Sequence, residues 1–306
     1  MDRVTIQQRE IPPHLWGPLW EDVDLAASGE KIPALLEEHG YVLLRQVLAN
    51  HEVLAARREV LMRLGDVGEV REPVMRGIGS GKSSRPKPEE DQGQFWTSVN
   101  RGPALRQVTH GPVLRELMSR VFQSEARPHD LMYLRPMPPS ATTSLHYDYP
   151  FFAGFVEPIY TAWIPLGDVP LSEGPLVVVE KSHEFDDLLD PLRALDFSGN
   201  HENDTVQSAA YAAQNQSHPI DLCAERKVRL LSTNYQAGDL VIFSGFLMHG
   251  ALDNNSAVGR VRLSCDLRFQ KASESFEDRR YFGEQPQGSQ GGGYADMRGA
   301  QPLFAD

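Results

Sequence analysis

The sequence predicts a mainly β protein with flanking helices, its core an antiparallel sandwich or barrel. Short apolar runs at 131–135, 145–150, 159–166, 176–179 and 238–243 follow one another, punctuated by Gly and Pro. The run 260–269 alternates apolar odd positions with polar even ones, the period of a strand with two unlike faces. Before residue 125, by contrast, the apolar positions recur at helical spacing.

In 306 residues, 41% of them hydrophobic, the chain can bury a substantial core, and one elaborated domain spanning 1–306 is expected. A net charge of −12 with no basic block argues against nucleic acid or an anionic membrane as partner. The first residues lack the apolar core of a signal peptide, and no uninterrupted apolar run is long enough to span a bilayer. A cytoplasmic protein acting on a small molecule is the expectation. Cys223 and Cys265 are the only cysteines, which supports neither a disulfide framework nor a thiolate cluster.

Taken in order, residues 28–125 read as helical support plus a lid loop. Ile32, Leu35, Leu36 and His39 lie at helical spacing before Gly40, and a β-rich run follows at 41–48. A second helix starts at Asn50, with Val53, Ala56, Val60, Leu61 and Leu64 on one stripe. Residues 66–104 read as irregular, and a long loop in a compact enzyme is often a lid. Its Gly81-Lys82-Ser83 is no phosphate loop, because Arg76 stands where the first Gly of that motif belongs. Pro112 opens an amphipathic helix with Leu114, Leu117, Met118, Val121 and Phe122 on one face. The β core then occupies 129–183 and 235–270. Between them, 184–228 reads as a polar, partly helical insertion in which His201 and His218 are exposed, and the Gly-rich tail 271–306 reads as a loose surface segment.

The chemistry centres on His146 and Asp148. On a strand, residues two apart project to one side, so imidazole and carboxylate can grip one metal ion. His249, after the run 238–243, completes two His and one carboxylate, a ligand set that leaves positions open for a cosubstrate and O₂ on Fe(II). His-X-Asp alone is a weak signal. Arg260 and Arg262 share one face of the last strand, where a guanidinium fork can hold a dicarboxylate, or where the face is simply solvated. Tyr133, Arg135, Tyr149 and Phe151 are near enough to the ligand strand to line a substrate pocket, with Arg135 able to meet an acidic group. Barrel core or sheet surface is the competing reading for each.

His146-Tyr147-Asp148, the run 163–169, Glu173-Gly174-Pro175 with 176–179, Lys181-Ser182-His183, Gly238-Asp239 and His249-Gly250, ending at Arg260 and Ser264, together resemble the phytanoyl-CoA dioxygenase family. The resemblance covers about residues 130–270, with weaker similarity near 30–65. It implies a double-stranded β-helix, the jelly-roll core of cupin-like proteins, that binds Fe(II) and 2-oxoglutarate and uses O₂. It implies His146, Asp148 and His249 as the metal ligands. The family's spacing from distal histidine to arginine selects Arg260 over Arg262 as the anchor for 2-oxoglutarate. Trp163 stands where the family often has Trp beside the cosubstrate, with Thr161 on the same strand face. Ala251 replaces a Ser found in some members, and Glu180 and Lys181 replace the first residues of a common Pro-Gly-Ser-His turn. Related halogenases carry a small residue where this chain has Asp148, so hydroxylation or another oxidation of a C–H bond, with release of succinate and CO₂, is expected. A jelly-roll protein that binds metal or metabolite without turnover, and a metal-dependent hydrolase or isomerase on a cupin-like barrel, are the alternatives.

Overall fold

A computed structural model describes residues 4–21, 31–152, 157–194, 217–274, 278–288, 292–295, 297 and 301–304. Its strands are β1 (Thr5–Ile6), β2 (Arg9–Glu10), β3 (Trp16–Pro18), β4 (Tyr41–Leu44), β5 (Ala126–Met137), β6 (Thr143–His146), β7 (Tyr160–Pro165), β8 (Leu176–Val179), β9 (Leu230–Ser232), β10 (Leu240–Ser244), β11 (His249–Ala251) and β12 (Arg262–Lys271). Two five-stranded sheets form the body, in the orders β4-β10-β7-β12-β5 and β3-β9-β8-β11-β6, beside the small hairpin β1-β2. Every pairing is antiparallel except β3 with β9. This is the jelly-roll core, two sheets enclosing one interior.

Alternation assigns each face. On β12, Leu263, Cys265, Leu267 and Phe269 are buried against helices Ile32–His39, Asn50–Asp66, Gln94–Asn100, Pro103–His110 and Pro112–Phe122, which cover the outside of the first sheet. Helices Asp186–Arg193 and Pro219–Arg226 cover the second sheet, over Val177, Val179 and Leu230. Between the sheets Tyr41, Leu43, Trp163, Val178, Val241 and Phe243 form an apolar cluster. The even residues of β12, Arg262, Ser264, Asp266 and Arg268, are buried as well, although all are polar. In register Ser264, Asp266 and Arg268 sit beside Pro165, Trp163 and Thr161 of β7, and by alternation all four face the interior.

Several expectations are corrected. The strand carrying the first ligand ends at His146, and Tyr149–Phe152 forms one helical turn. The stretch 66–104 is not irregular throughout: Gln94–Asn100 is helical and buries Phe95, Trp96 and Val99, with the Arg85 guanidinium stacked over both rings at 4.4 and 5.1 Å. The described part of the tail is anchored, since Tyr281, Phe282 and Tyr294 join the core; Tyr281 donates to the Phe151 carbonyl at 2.6 Å, and Tyr294 Oη accepts from Met132 N at 3.3 Å. Gly-rich composition signals a loop there, but three spaced aromatics decide where it lies. His218 is half-buried and caps helix Pro219–Arg226, its Nδ1 accepting from Ile220 N at 3.2 Å. His201 and residues 195–216 of the insertion lie outside the described residues. No described helix is long and apolar enough to cross a membrane.

His129 gives the fold a pH dependence. It is buried among Phe152, Tyr281 and Phe282, its Nε2–H donates to Gln270 Oε1 at 3.0 Å, and its Nδ1 has no partner among the described residues. Burial lowers its pKa from 6.5 to about 3. The unfolded chain therefore binds a proton that the native protein refuses, so this contribution is complete above pH 6.5 and is lost as pH falls towards 3. Melting temperature should drop across that window, and His129→Gln should make the drop shallower. An equally steep fall in the variant would contradict the assignment.

Candidate metal centre

Strand pairing brings the two imidazoles together. His146 of β6 is the register partner of His249 of β11, and their ring centroids are 4.4 Å apart. Gly250 permits this approach: a Cβ there would lie 2.6 Å from the Thr143 carbonyl oxygen. Leu145 and Tyr147 pack outwards under the second helical layer, so Asp148 returns to the same side as His146 even though the strand has ended. The turn that follows is held by Tyr149 N donating to Gly245 O and Phe151 N to Asp148 O, at 2.9 and 3.0 Å. One donor atom from each of His146, Asp148 and His249 lies within 4.8 Å of the others.

Neighbouring groups orient all three. His146 Nδ1 donates to Ser144 O at 2.9 Å and His249 Nδ1 to Leu247 O at 3.0 Å, which presents both Nε2 lone pairs to the common space. Asp148 Oδ2 accepts from Thr161 Oγ1 at 2.9 Å and Arg268 Nη2 at 2.6 Å, which turns Oδ1 towards the imidazoles. Nε2 of His146 and of His249 lie 3.6 and 3.9 Å from Oδ1, too far for hydrogen bonds. An ion with ligand bonds of about 2.0–2.2 Å fits between such donors. Burial and the adjacent His146 lower the His249 pKa to about 4, so it offers a neutral nitrogen. Burial, the largest single influence, would raise Asp148, but the Arg268 guanidinium together with His249 and His146 outweighs it and holds the carboxyl well below its usual range. Two imidazole nitrogens and one anionic oxygen on one side of a buried space fit a divalent iron ion.

The other singled-out residues lie around this centre. Thr161 touches Asp148, and Trp163, buried against Tyr235 at 4.7 Å, walls the interior two residues further along β7. Arg135 donates through Nε to Asp266 Oδ2 at 2.8 Å and lies over the Tyr133 ring at 5.3 Å, still a quarter exposed. Tyr149 stacks on Phe246 at 4.5 Å; with Asp148, Phe152, Ile159 and Tyr160 the pair lines a mostly apolar cavity of about 240 Å³. Phe151 is half-buried, its ring 6.4 Å from that of His146.

The two arginines that share a face by alternation have different surroundings. Arg260 precedes β12, is 37% exposed, and is engaged by both Glu173 oxygens at 3.0 and 3.1 Å. Arg262 is fully inside. Its Nε donates to Gly174 O at 2.9 Å, its Nη1 to Ser264 Oγ, and among the described residues it has no ion-pair partner. Burial lowers its pKa to about 10, so it stays charged at neutral pH. Arg268 went unremarked in the sequence because the alternation of β12 marks its face but not its partner, and Asp148 is far away along the chain.

The model of the family described as phytanoyl-CoA dioxygenase matches residues 36–261. No curated protein matches the chain by sequence. Among solved structures, the non-heme alpha ketoglutarate dependent epimerase SnoN from nogalamycin biosynthesis is 20% identical with a TM-score of 0.52, covering 92% of this chain and 97% of its own. The carbocyclase SnoK from the same biosynthesis is 20% identical with a TM-score of 0.51, covering 85% and 89%. EctD from S. alaskensis in its apoform is 15% identical with a TM-score of 0.51, covering 90% and 86%. These likenesses concern the fold; the family match spans most of the chain and includes all three metal-facing residues. The chain belongs to the phytanoyl-CoA dioxygenase family of iron- and 2-oxoglutarate-dependent oxygenases.

Proposed function

We propose that this oxygenase oxidises a C–H bond of a small, largely apolar metabolite bearing an acid group, consuming 2-oxoglutarate and O₂ and releasing succinate and CO₂. His146, Asp148 and His249 hold the iron, and Arg262, with the Ser264 hydroxyl, pairs with the far carboxylate of 2-oxoglutarate. The observation that carries this is Arg262 itself: a charged guanidinium buried in the same interior as the triad, with no ion-pair partner among the described residues. Leaving a cation there uncompensated is costly, and an anionic ligand relieves the cost. Arg260 is already satisfied by Glu173.

Bound iron supplies activation of O₂ and the oxidative decarboxylation of 2-oxoglutarate. The chain's own contribution is orientation and exclusion of water. The backbone carbonyls of Ser144 and Leu247 fix both imidazoles, Thr161 fixes Asp148, and Trp163 walls the cosubstrate's side of the interior. The cavity beside Asp148 takes the apolar body of the substrate against Tyr149 and Phe246. Arg135, with one nitrogen on Asp266 and its side chain still partly open, meets the acid group above Tyr133.

Quantifying succinate tests this. Wild-type protein with Fe(II), 2-oxoglutarate and O₂ should form succinate, and His146→Ala and His249→Ala should abolish it. Arg262→Ala should raise KM for 2-oxoglutarate by about 10- to 100-fold, the loss of a charged hydrogen-bonded pair. Arg260→Ala should leave KM nearly unchanged, and a reversal of the two effects would return the anchor to Arg260. In a screen of apolar acids against their neutral amides, the acids should stimulate turnover, and Arg135→Gln should remove that preference while leaving KM for 2-oxoglutarate alone.

A further inference from the structure

Arg268 makes fewer hydrogen bonds than its donors allow. It is 2% exposed, and its guanidinium lies between the rings of Tyr133 and Phe152, at 4.6 and 4.8 Å. Nη2 donates to Asp148 Oδ2 at 2.6 Å, yet Nε and Nη1 have no hydrogen-bond partner among the described residues. Nη1 is 3.9 Å from Asp266 Oδ2, an oxygen already taken by Arg135 Nε at 2.8 Å.

An arginine free to choose meets a carboxylate with two parallel bonds, one to each oxygen. Here the fork is not used. The aromatic pair fixes the plane of the guanidinium so that it reaches one oxygen of Asp148, the same oxygen that Thr161 Oγ1 holds at 2.9 Å. Both lone-pair directions of Oδ2 are thereby engaged, while Oδ1 faces Nε2 of His146 and His249. A carboxylate held in this way cannot rotate to chelate an ion with both oxygens.

We propose that Arg268 is a positioning residue of the metal centre: with Thr161 it restricts Asp148 to a single-oxygen ligand, so that the protein occupies three coordination positions and leaves the remainder for cosubstrate and O₂. This rests on the reading of His146, Asp148 and His249 as metal ligands. The competing role is a buried ion pair that only stabilises the fold, and the two differ in what the metal reports. Charge alone predicts the opposite sign, because removing a cation this close to a ligand oxygen should tighten metal binding.

The experiment titrates metal-free protein with Co(II), following its visible absorption, whose intensity responds to coordination number, and records the melting temperature of each metal-free variant. Arg268→Met should bind Co(II) about 10- to 100-fold more weakly than wild type, the usual cost of losing a group that orients a metal ligand, with a changed band intensity. Arg268→Lys, which restores a charged donor without the planar fork, should recover part of the affinity. Thr161→Val should weaken binding by less and change the band in the same sense, which serves where Arg268→Met does not fold. Unchanged Co(II) affinity and spectrum with a lowered melting temperature, or tighter binding, would overturn the proposal. Failure of wild type to bind Co(II), or equal binding by His146→Ala, would instead overturn the metal-centre reading beneath it.

Discussion

His146 and His249 face each other because β6 and β11 are hydrogen-bonded neighbours, and the rest of the centre depends on that one antiparallel register. A slip by one residue would turn both imidazoles into the apolar layer where Leu145 and Met248 now pack. The register is protected from several directions. Val178 of β8 lies on the other side of His249, Gly250 lets the backbones close up, and Met248 N donates to Ser182 Oγ at 2.8 Å. Both imidazoles are therefore held by contacts between hydrogen-bonded strands rather than along one loop.

Against this apolar frame the polar face of β12 stands out. Three arginines, from β5 and β12, and two aspartates share the space between the sheets: Arg268 pairs with Asp148, Arg135 with Asp266, and Arg262 has no ion-pair partner among the described residues. Buried pairs of this kind are rarely kept for stability, since apolar replacements of similar volume do as well or better. Their presence in an interior otherwise packed with Tyr41, Leu43, Val241 and Phe243 marks where chemistry rather than packing has set the residues. The surplus cation and the divalent metal site together call for an anionic ligand, which ties the cosubstrate to the electrostatics of the barrel as well as to its shape.

Much of this was legible in the sequence because it rests on local period. Alternation gave β12 its two faces, the helical stripes at 32–39, 50–66 and 112–122 appear as helices, and two residues spaced by one met on one side. What was not legible was pairing across the chain. Arg260 and Arg262 share a face by alternation, and only the position of Glu173, on a loop before β8, separates the satisfied arginine from the uncompensated one. Arg268 looked like one more polar position until Asp148 arrived beside it. The tail misled for a related reason: Gly-rich composition describes backbone freedom, whereas Tyr281, Phe282 and Tyr294 contribute the burial that fixes its path.

The most direct measurement of the central claim, that one buried site joins three protein ligands to a dicarboxylate cosubstrate, is an anaerobic titration of Fe(II)-loaded protein with 2-oxoglutarate, followed in the visible spectrum. The account predicts a weak charge-transfer band from the chelated keto acid that saturates with 2-oxoglutarate, is absent in His249→Ala, and needs far more cosubstrate in Arg262→Ala. Metal-replete wild-type protein that shows no band at any concentration of 2-oxoglutarate would contradict it.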